Sequence, residues 1–149
     1  MASSAFDPER MLSVLAGEGV HFVLIGGMAA ILHGDVGVTV DLDVVPELDA
    51  ANLERLARAL RALGARIRTE GEPQGLAFDC SAQFFANLSP DSIVNMTTEA
   101  GDLDVTFRPR GTQGFPDLRR DAIEIEAADR LHILVASLAD IIRSKEAAG

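Results

Sequence analysis

The tetrapeptide Asp-Leu-Asp-Val occurs twice in the 149-residue chain, at 41–44 and at 102–105. Side chains alternate along an extended strand, so Asp41 and Asp43 share one face while Leu42 and Val44 take the other. Asp102 and Asp104 follow the same rule if the second copy is extended. Aspartate is a poor strand residue, and two carboxylates on one face repel each other. A cation relieves that repulsion. Carboxylate oxygens suit Mg²⁺, which usually takes one or two of them together with water and substrate phosphate, and a pair of such ions can clamp an in-line displacement at phosphorus. The alternative is two solvated sheet faces with no metal. A second feature is Ile25-Gly26-Gly27-Met28, between an apolar run and a helical pattern. Glycines there let a phosphate approach the backbone at a helix start, although a glycine turn is more often only a turn.

These residues need elements to hold them. Residues 20–25 form a β-rich apolar run, expected to be a strand buried on both faces. Gly26-Gly27 turns it into a short helix over 28–33, closed by Gly34. Residues 35–38 read as a loop, and 40–45 as a second strand ended by Pro46. Asp7-Pro8-Glu9 starts a helix that Gly17 to Gly19 stops. Asp49 caps an amphipathic helix to about Leu63, with Leu53, Leu56, Ala57, Leu60 and Leu63 at helical spacing. Residues 65–68 and 76–79 read as short strands around a turn at 71–75, and 81–87 as a short helix. The runs 93–98 and 103–107 form a hairpin around Glu99 to Asp102. A short helix or turn at 115–120, strands at 122–127 and 131–135, and a final helix over 137–148 complete the chain, the last with Ser137 and Asp140 at capping spacing. There is no solenoid-length repeat. The pattern predicts an α/β (α+β) fold, a mixed sheet with flanking helices, as a single domain over 1–149.

Composition narrows the function. Hydrophobic residues make up 48% and charged residues 24%, which excludes disorder and collagen. One cysteine, Cys80, leaves no partner within the chain and fits a reducing cytoplasm. No apolar run approaches the roughly 18 residues of a membrane span, and residues 1–10 carry Asp7 and Glu9 and no apolar centre, unlike a signal peptide. The net charge of −10 disfavours generic binding to phosphate backbones. It is uneven: residues 51–68 hold Arg55, Arg58, Arg61, Arg66 and Arg68 against one acid, Glu54. Of these, the row Arg55, Arg58 and Arg61 reads mainly as a solvated face, with Arg58 pairing Glu54 at i, i+4, or else as an RNA-contact strip. His33 reads as a helix cap or packing residue, and Cys80 as an inert thiol. In the last helix Leu138, Ile141, Ile142 and Lys145, the lone lysine, fall at i, i+3, i+4 and i+7, which predicts an inward stripe with Lys145 reaching a cleft.

Taken together, Val23 to Ala30 with its Gly26-Gly27, then His33-Gly34, then Thr39-Val40-Asp41-Leu42-Asp43 resembles the signature of the nucleotidyltransferase (polymerase-β-like) superfamily. Asp104 looks like the third carboxylate of that family, supplied by a later strand. The stretch from Val135 to Lys145, an acid and then a lysine on one helix, is similar to the bacterial AbiEii-type toxin branch. The resemblance covers about residues 20–148. It implies the palm-like nucleotidyltransferase fold, Asp41, Asp43 and Asp104 as metal-binding and catalytic residues with Mg²⁺ as cofactor, and Gly26, Gly27, Thr39 and Lys145 at the nucleotide. The implied reaction transfers a nucleoside monophosphate from an NTP to an acceptor hydroxyl. The acceptor is tRNA, in a toxin paired with an antitoxin, or else a small molecule or a protein hydroxyl. Gly37 stands where many relatives carry an arginine, two residues before Thr39. The chain also stops at Gly149, before the basic helix that follows in the branch. Both departures keep open a non-catalytic module, an antitoxin or regulatory subunit, with the same fold.

Overall fold

The computed structural model describes residues 5–149, so of the segment 1–10 read above for a leader, residues 1–4 lie outside the described residues. Along the chain run α1 (Pro8–Gly17), β1 (Phe22–Ile25), α2 (Gly26–Leu32), β2 (Asp41–Pro46), α3 (Ala50–Ala62), β3 (Arg66–Thr69), β4 (Glu72–Leu76), α4 (Ala82–Ala86), β5 (Ile93–Thr98), β6 (Gly101–Thr106), α5 (Phe115–Asp121), β7 (Ile123–Ala128), β8 (Leu131–Val135) and α6 (Leu138–Ala148). The eight strands form one mixed sheet in the order β4-β3-β5-β6-β2-β1-β8-β7. The expected mixed sheet with flanking helices is therefore the observed architecture.

Side-chain oxygens start four of the six described helices, α1, α3, α4 and α6. Asp7 accepts from the Arg10 amide at 3.1 Å, Asp49 from Asn52 at 2.9 Å, and Ser137 from Asp140 at 3.1 Å. Each satisfies an amide that has no partner within its helix. The segment expected to turn at 71–75 is instead mostly strand: β3 and β4 form a tight hairpin turning at Glu70 and Gly71. Gly75 has φ +73°, and a side chain there would strike the Ile67 carbonyl, so this glycine serves close strand packing rather than a turn. The helix after β1 begins at Gly26 itself, two residues earlier than the pattern suggested.

Period-two alternation sorts the sheet into two faces. Leu24, Leu42, Val44, Leu103 and Val105 point toward α1 and α3 and join Leu12, Leu15, Leu56 and Leu60 in the main core. Val23 and Val45 point the other way and pack with Phe115, Leu118 and Ala136 in a smaller cluster that also takes in Ile25 and Ile141. Strand β1 is thus covered on both faces, as expected of its uninterrupted apolar run. The second face is apolar only around Val23, Ile25 and Val45. Farther along β2 and across β6 it carries aspartates.

Asn52, in the first turn of α3, is wholly buried. Its Oδ1 accepts from the His21 amide at 2.7 Å, and its Nδ2 donates to the carbonyls of His21 at 2.9 Å and Glu47 at 2.7 Å. It ties the entrance of β1 and the exit of β2 to α3. Truncation takes a partner from three part-buried backbone groups, of which the His21 carbonyl keeps the Glu47 amide, and a group left unsatisfied costs roughly 1–3 kcal/mol. Asn52→Ala is expected to destabilise the protein by at least about 2 kcal/mol in urea denaturation. A loss under roughly 0.5 kcal/mol, the range of an ordinary surface change, refutes this role.

Candidate metal and nucleotide site

Strands β2 and β6 are parallel neighbours, with Asp41 opposite Asp102, Leu42 opposite Leu103, Asp43 opposite Asp104 and Val44 opposite Val105. The two copies of Asp-Leu-Asp-Val therefore lie side by side in register. Their apolar members enter the main core, and all four carboxylates emerge on the opposite face. One carboxylate oxygen each from Asp41, Asp43 and Asp104 lies within 4.8 Å of the others. This is the one such group of potential metal ligands among the described residues. Asp104 is buried, while Asp41 and Asp43 are partly open to solvent. Asp102 falls outside the group.

The crowding has electrostatic consequences. Burial, the Asp41 and Asp104 charges and a hydrogen bond to Asp104 push the Asp43 carboxyl up to about 7, against a smaller downward pull from Arg68. Asp104 is also raised by burial, but Arg68 and the hydrogen bond from Asp43 oppose the rise. Both members of the pair are thus held above the ordinary carboxylate range, so the pair retains a proton more readily than free aspartates do. A divalent cation would replace that proton and neutralise the cluster. The donor set, three hard oxygens facing an opening, fits Mg²⁺.

Gly26 lets the chain turn onto Asp43. It sits at φ +74°, and a Cβ there would overlap the Asp43 carboxylate. Beside it, a Cβ on Gly27 would meet Thr39, whose hydroxyl donates to the Asp41 carbonyl at 3.1 Å and lies 3.5 Å from Asp41 Oδ1. Gly26, Gly27, Thr39, Asp41, Asp43 and Asp104 therefore form one contiguous locus where β1 meets α2. His33 closes α2, and its Nε2–H donates to the Ala136 carbonyl at 2.8 Å, which ties α2 to the end of β8.

Lys145 is placed differently from its expected position. Leu138 and Ile142 are about half exposed and Lys145 is exposed, so the stripe they share faces outward. The inward side of α6 carries Asp140 and Ile141. Arg143 sets this rotation, lying 3.2 Å from Asp140 and 2.9 Å from Asp117 of α5. Hydrophobic spacing missed it because, of the four stripe residues, Ile141 packs against the core, while the side of α6 beside it is set by Asp140 and the Arg143–Asp117 pair. Arg58 pairs with Glu18 at 3.4 Å rather than with Glu54, because α1 packs alongside α3. Burial pushes the Cys80 thiol up to about 11, which keeps it protonated at neutral pH.

Arg68 is the residue that spacing did not single out. Its Nη2 donates to Asp104 Oδ1 at 2.8 Å, and its Nη1 donates to the Met96 carbonyl at 3.1 Å and lies 3.5 Å from Asp102. In sequence it is one of five arginines within 51–68, and nothing in their spacing marks which meets an acid. No described helix is long and apolar enough to cross a membrane.

No family model matches the chain, and no curated protein does either. Among solved structures it is similar to a candidate nucleotidyltransferase from Thermotoga maritima, with a TM-score of 0.60 and 15% identity over 96% of this chain and 86% of the other. The chain has a nucleotidyltransferase-like fold.

The raised Asp43 couples stability to pH. The folded chain holds this proton up to about pH 7, whereas an unfolded aspartate releases it near 3.8. Between those values the folded state binds more protons, so this group's contribution declines as pH rises and is gone above about 7. Asn carries no such titration. In chelator, the stability of Asp43→Asn relative to wild type is expected to climb from pH 4 to 7 and then level off. Urea denaturation across that range checks it, and a pH-independent difference contradicts it.

Proposed function

We propose that the chain is a Mg²⁺-dependent nucleotidyltransferase, moving a nucleoside monophosphate from an NTP to an acceptor hydroxyl and releasing pyrophosphate. The observation that carries the reading is the convergence of Asp41, Asp43 and Asp104, from adjacent strands, beside the Gly26-Gly27 turn. The nucleotidyltransferase-like fold supports it.

Asp41, Asp43 and Asp104 would hold Mg²⁺, which when bound supplies positive charge for the triphosphate and the developing negative charge at phosphorus. Gly26 and Gly27 leave backbone open to the phosphates, and Thr39 keeps the approach to Asp41 in place. Asp104, held by Arg68 beside the other two acids, is assigned the proton of the acceptor hydroxyl. The acceptor oxygen bonds to the α-phosphorus, the bond to the bridging oxygen breaks, and pyrophosphate leaves with that electron pair. Lys145 is assigned to the outer phosphates as a flexible point charge on the exposed side of α6, which begins just beyond β8.

By resemblance to the AbiEii-type branch, the acceptor is tRNA and the chain is the toxin of a toxin–antitoxin pair in the cytoplasm, acting as a single domain. The −10 net charge makes a small hydroxylated molecule or a protein hydroxyl the competing acceptors. The deciding experiment incubates the protein with each labelled NTP, Mg²⁺ and total cellular RNA, and then with protein and small-molecule fractions. Label on no fraction overturns the reading. A second reading, a non-catalytic partner subunit, draws on Val36 and Val38, which are 97% and 94% exposed on the loop leading to Asp41. Calorimetry with NTP and Mg²⁺ separates the two, because only the enzyme must bind nucleotide.

Asp41→Asn and Asp43→Asn are each expected to cut transfer by about 10²–10³-fold, the loss of roughly 3–4 kcal/mol of transition-state stabilisation, while the fold is retained. Turnover within about threefold of wild type, under roughly 1 kcal/mol of barrier, removes these aspartates from the chemistry. Lys145→Ala is expected to weaken NTP affinity and turnover together, and unchanged values take the lysine out of the site.

A further inference from the structure

Of the two arginines on β3, one is committed to the hairpin and the other to the acids. Arg66 directs its guanidinium to the carbonyls of Gln74 and Gly75, at 3.0–3.3 Å, on the neighbouring β4. Arg68 reaches in the opposite direction, across β5 to β6. The register makes this possible. Arg66 faces Thr97 and Ile67 faces Met96, so the next step along β3 sets Arg68 beside Asn95, and Asn95 faces Asp104. Arg68 thus stands two strands from Asp104, a span an arginine side chain covers.

We propose that Arg68 is the positioning residue of the carboxylate cluster. Resting on the reading of that cluster as a divalent-cation site, it assigns to Arg68 the orientation of Asp104 as a ligand. One arm of the guanidinium is anchored on the Met96 carbonyl, and this fixes the plane of the fork. The other arm holds Asp104 Oδ1 at 2.8 Å, which limits rotation of a carboxylate whose side chain is only 11% exposed. With Oδ1 held on the β3 side, Asp104 is locked in the setting that brings it within reach of Asp41 and Asp43. Hydrogen bonds of this kind, made to a ligand rather than to the ion, commonly contribute 10–100-fold to metal affinity.

A simpler role, counter-charge for crowded acids, makes the opposite prediction. Deleting a cation beside three carboxylates raises the local negative potential and tightens cation binding. Lysine at this position restores the charge but not the planar fork that meets a carbonyl and a carboxylate together.

The experiment measures Mn²⁺ binding to the full chain by electron paramagnetic resonance and calorimetry, without nucleotide, for wild type, Arg68→Ala and Arg68→Lys. Circular dichroism and urea midpoints check the fold of each. Positioning predicts Mn²⁺ affinity about 10–100-fold weaker in Arg68→Ala and still several-fold weaker in Arg68→Lys. Affinity unchanged or tighter in Arg68→Ala, or full recovery in Arg68→Lys, overturns it. If Arg68→Ala fails to fold, Arg68→Lys alone decides by the same criterion. Wild type that binds no Mn²⁺ is a separate outcome, which overturns the cation-site reading and the role of Arg68 with it.

Discussion

The parallel, in-register pairing of β2 with β6 is the constraint on which the rest of the molecule depends. It sets two identical tetrapeptides side by side, so Leu42, Val44, Leu103 and Val105 fall into one core and Asp41, Asp43, Asp102 and Asp104 onto one open face. A shift of one residue in either strand would bury carboxylates and expose leucine and valine. The apolar side of the pairing is therefore what holds the acidic side in place. Strands β1 and β5 flank the pair and supply the other two components of the site, the Gly26 turn at the end of β1 and the Met96 carbonyl that anchors Arg68.

Four carboxylates on one face carry a cost that the surroundings offset in three ways. Asp43 retains a proton close to neutrality, Arg68 neutralises Asp104 and approaches Asp102, and the face itself is only partly covered, so water reaches Asp41 and Asp43. None of these removes the excess of negative charge. Repulsion maintained against stability, at a place where a glycine has been kept free of a side chain, is the pattern expected where a protein holds charge for a ligand. The contrast with Asp117 and Asp140 is instructive. Those acids are buried too, but arginines pair with them, Arg120 and Arg143 with Asp117 and Arg143 with Asp140, and the Arg143–Asp117 pair joins α6 to α5.

The sequence by itself determined most of the elements and the identity of the acids. Alternation in Asp-Leu-Asp-Val is a local property of extended backbone, the caps at Asp7, Asp49 and Ser137 act within one helical turn, and the continuous apolar run before Gly26 needs only its own composition to predict a strand covered on both faces. The same locality explains the misreading of residues 71–75, where a glycine that admits a neighbouring strand looks like a glycine that makes a turn.

Only the tertiary structure decided which of these residues meet. That Asp104 joins Asp41 and Asp43 depends on β6 lying next to β2 and parallel to it, although some 60 residues separate the two copies in the chain. That Arg68, rather than any other arginine of its segment, faces Asp104 depends on the order β3-β5-β6, which no spacing within the segment encodes. The outward turn of Lys145 follows from Arg143 reaching Asp117 on another helix. Periodicity reports which face of an element is apolar. Which ion pairs form across elements depends on distances in space, and for long, flexible charged side chains those distances exist only once the sheet is assembled.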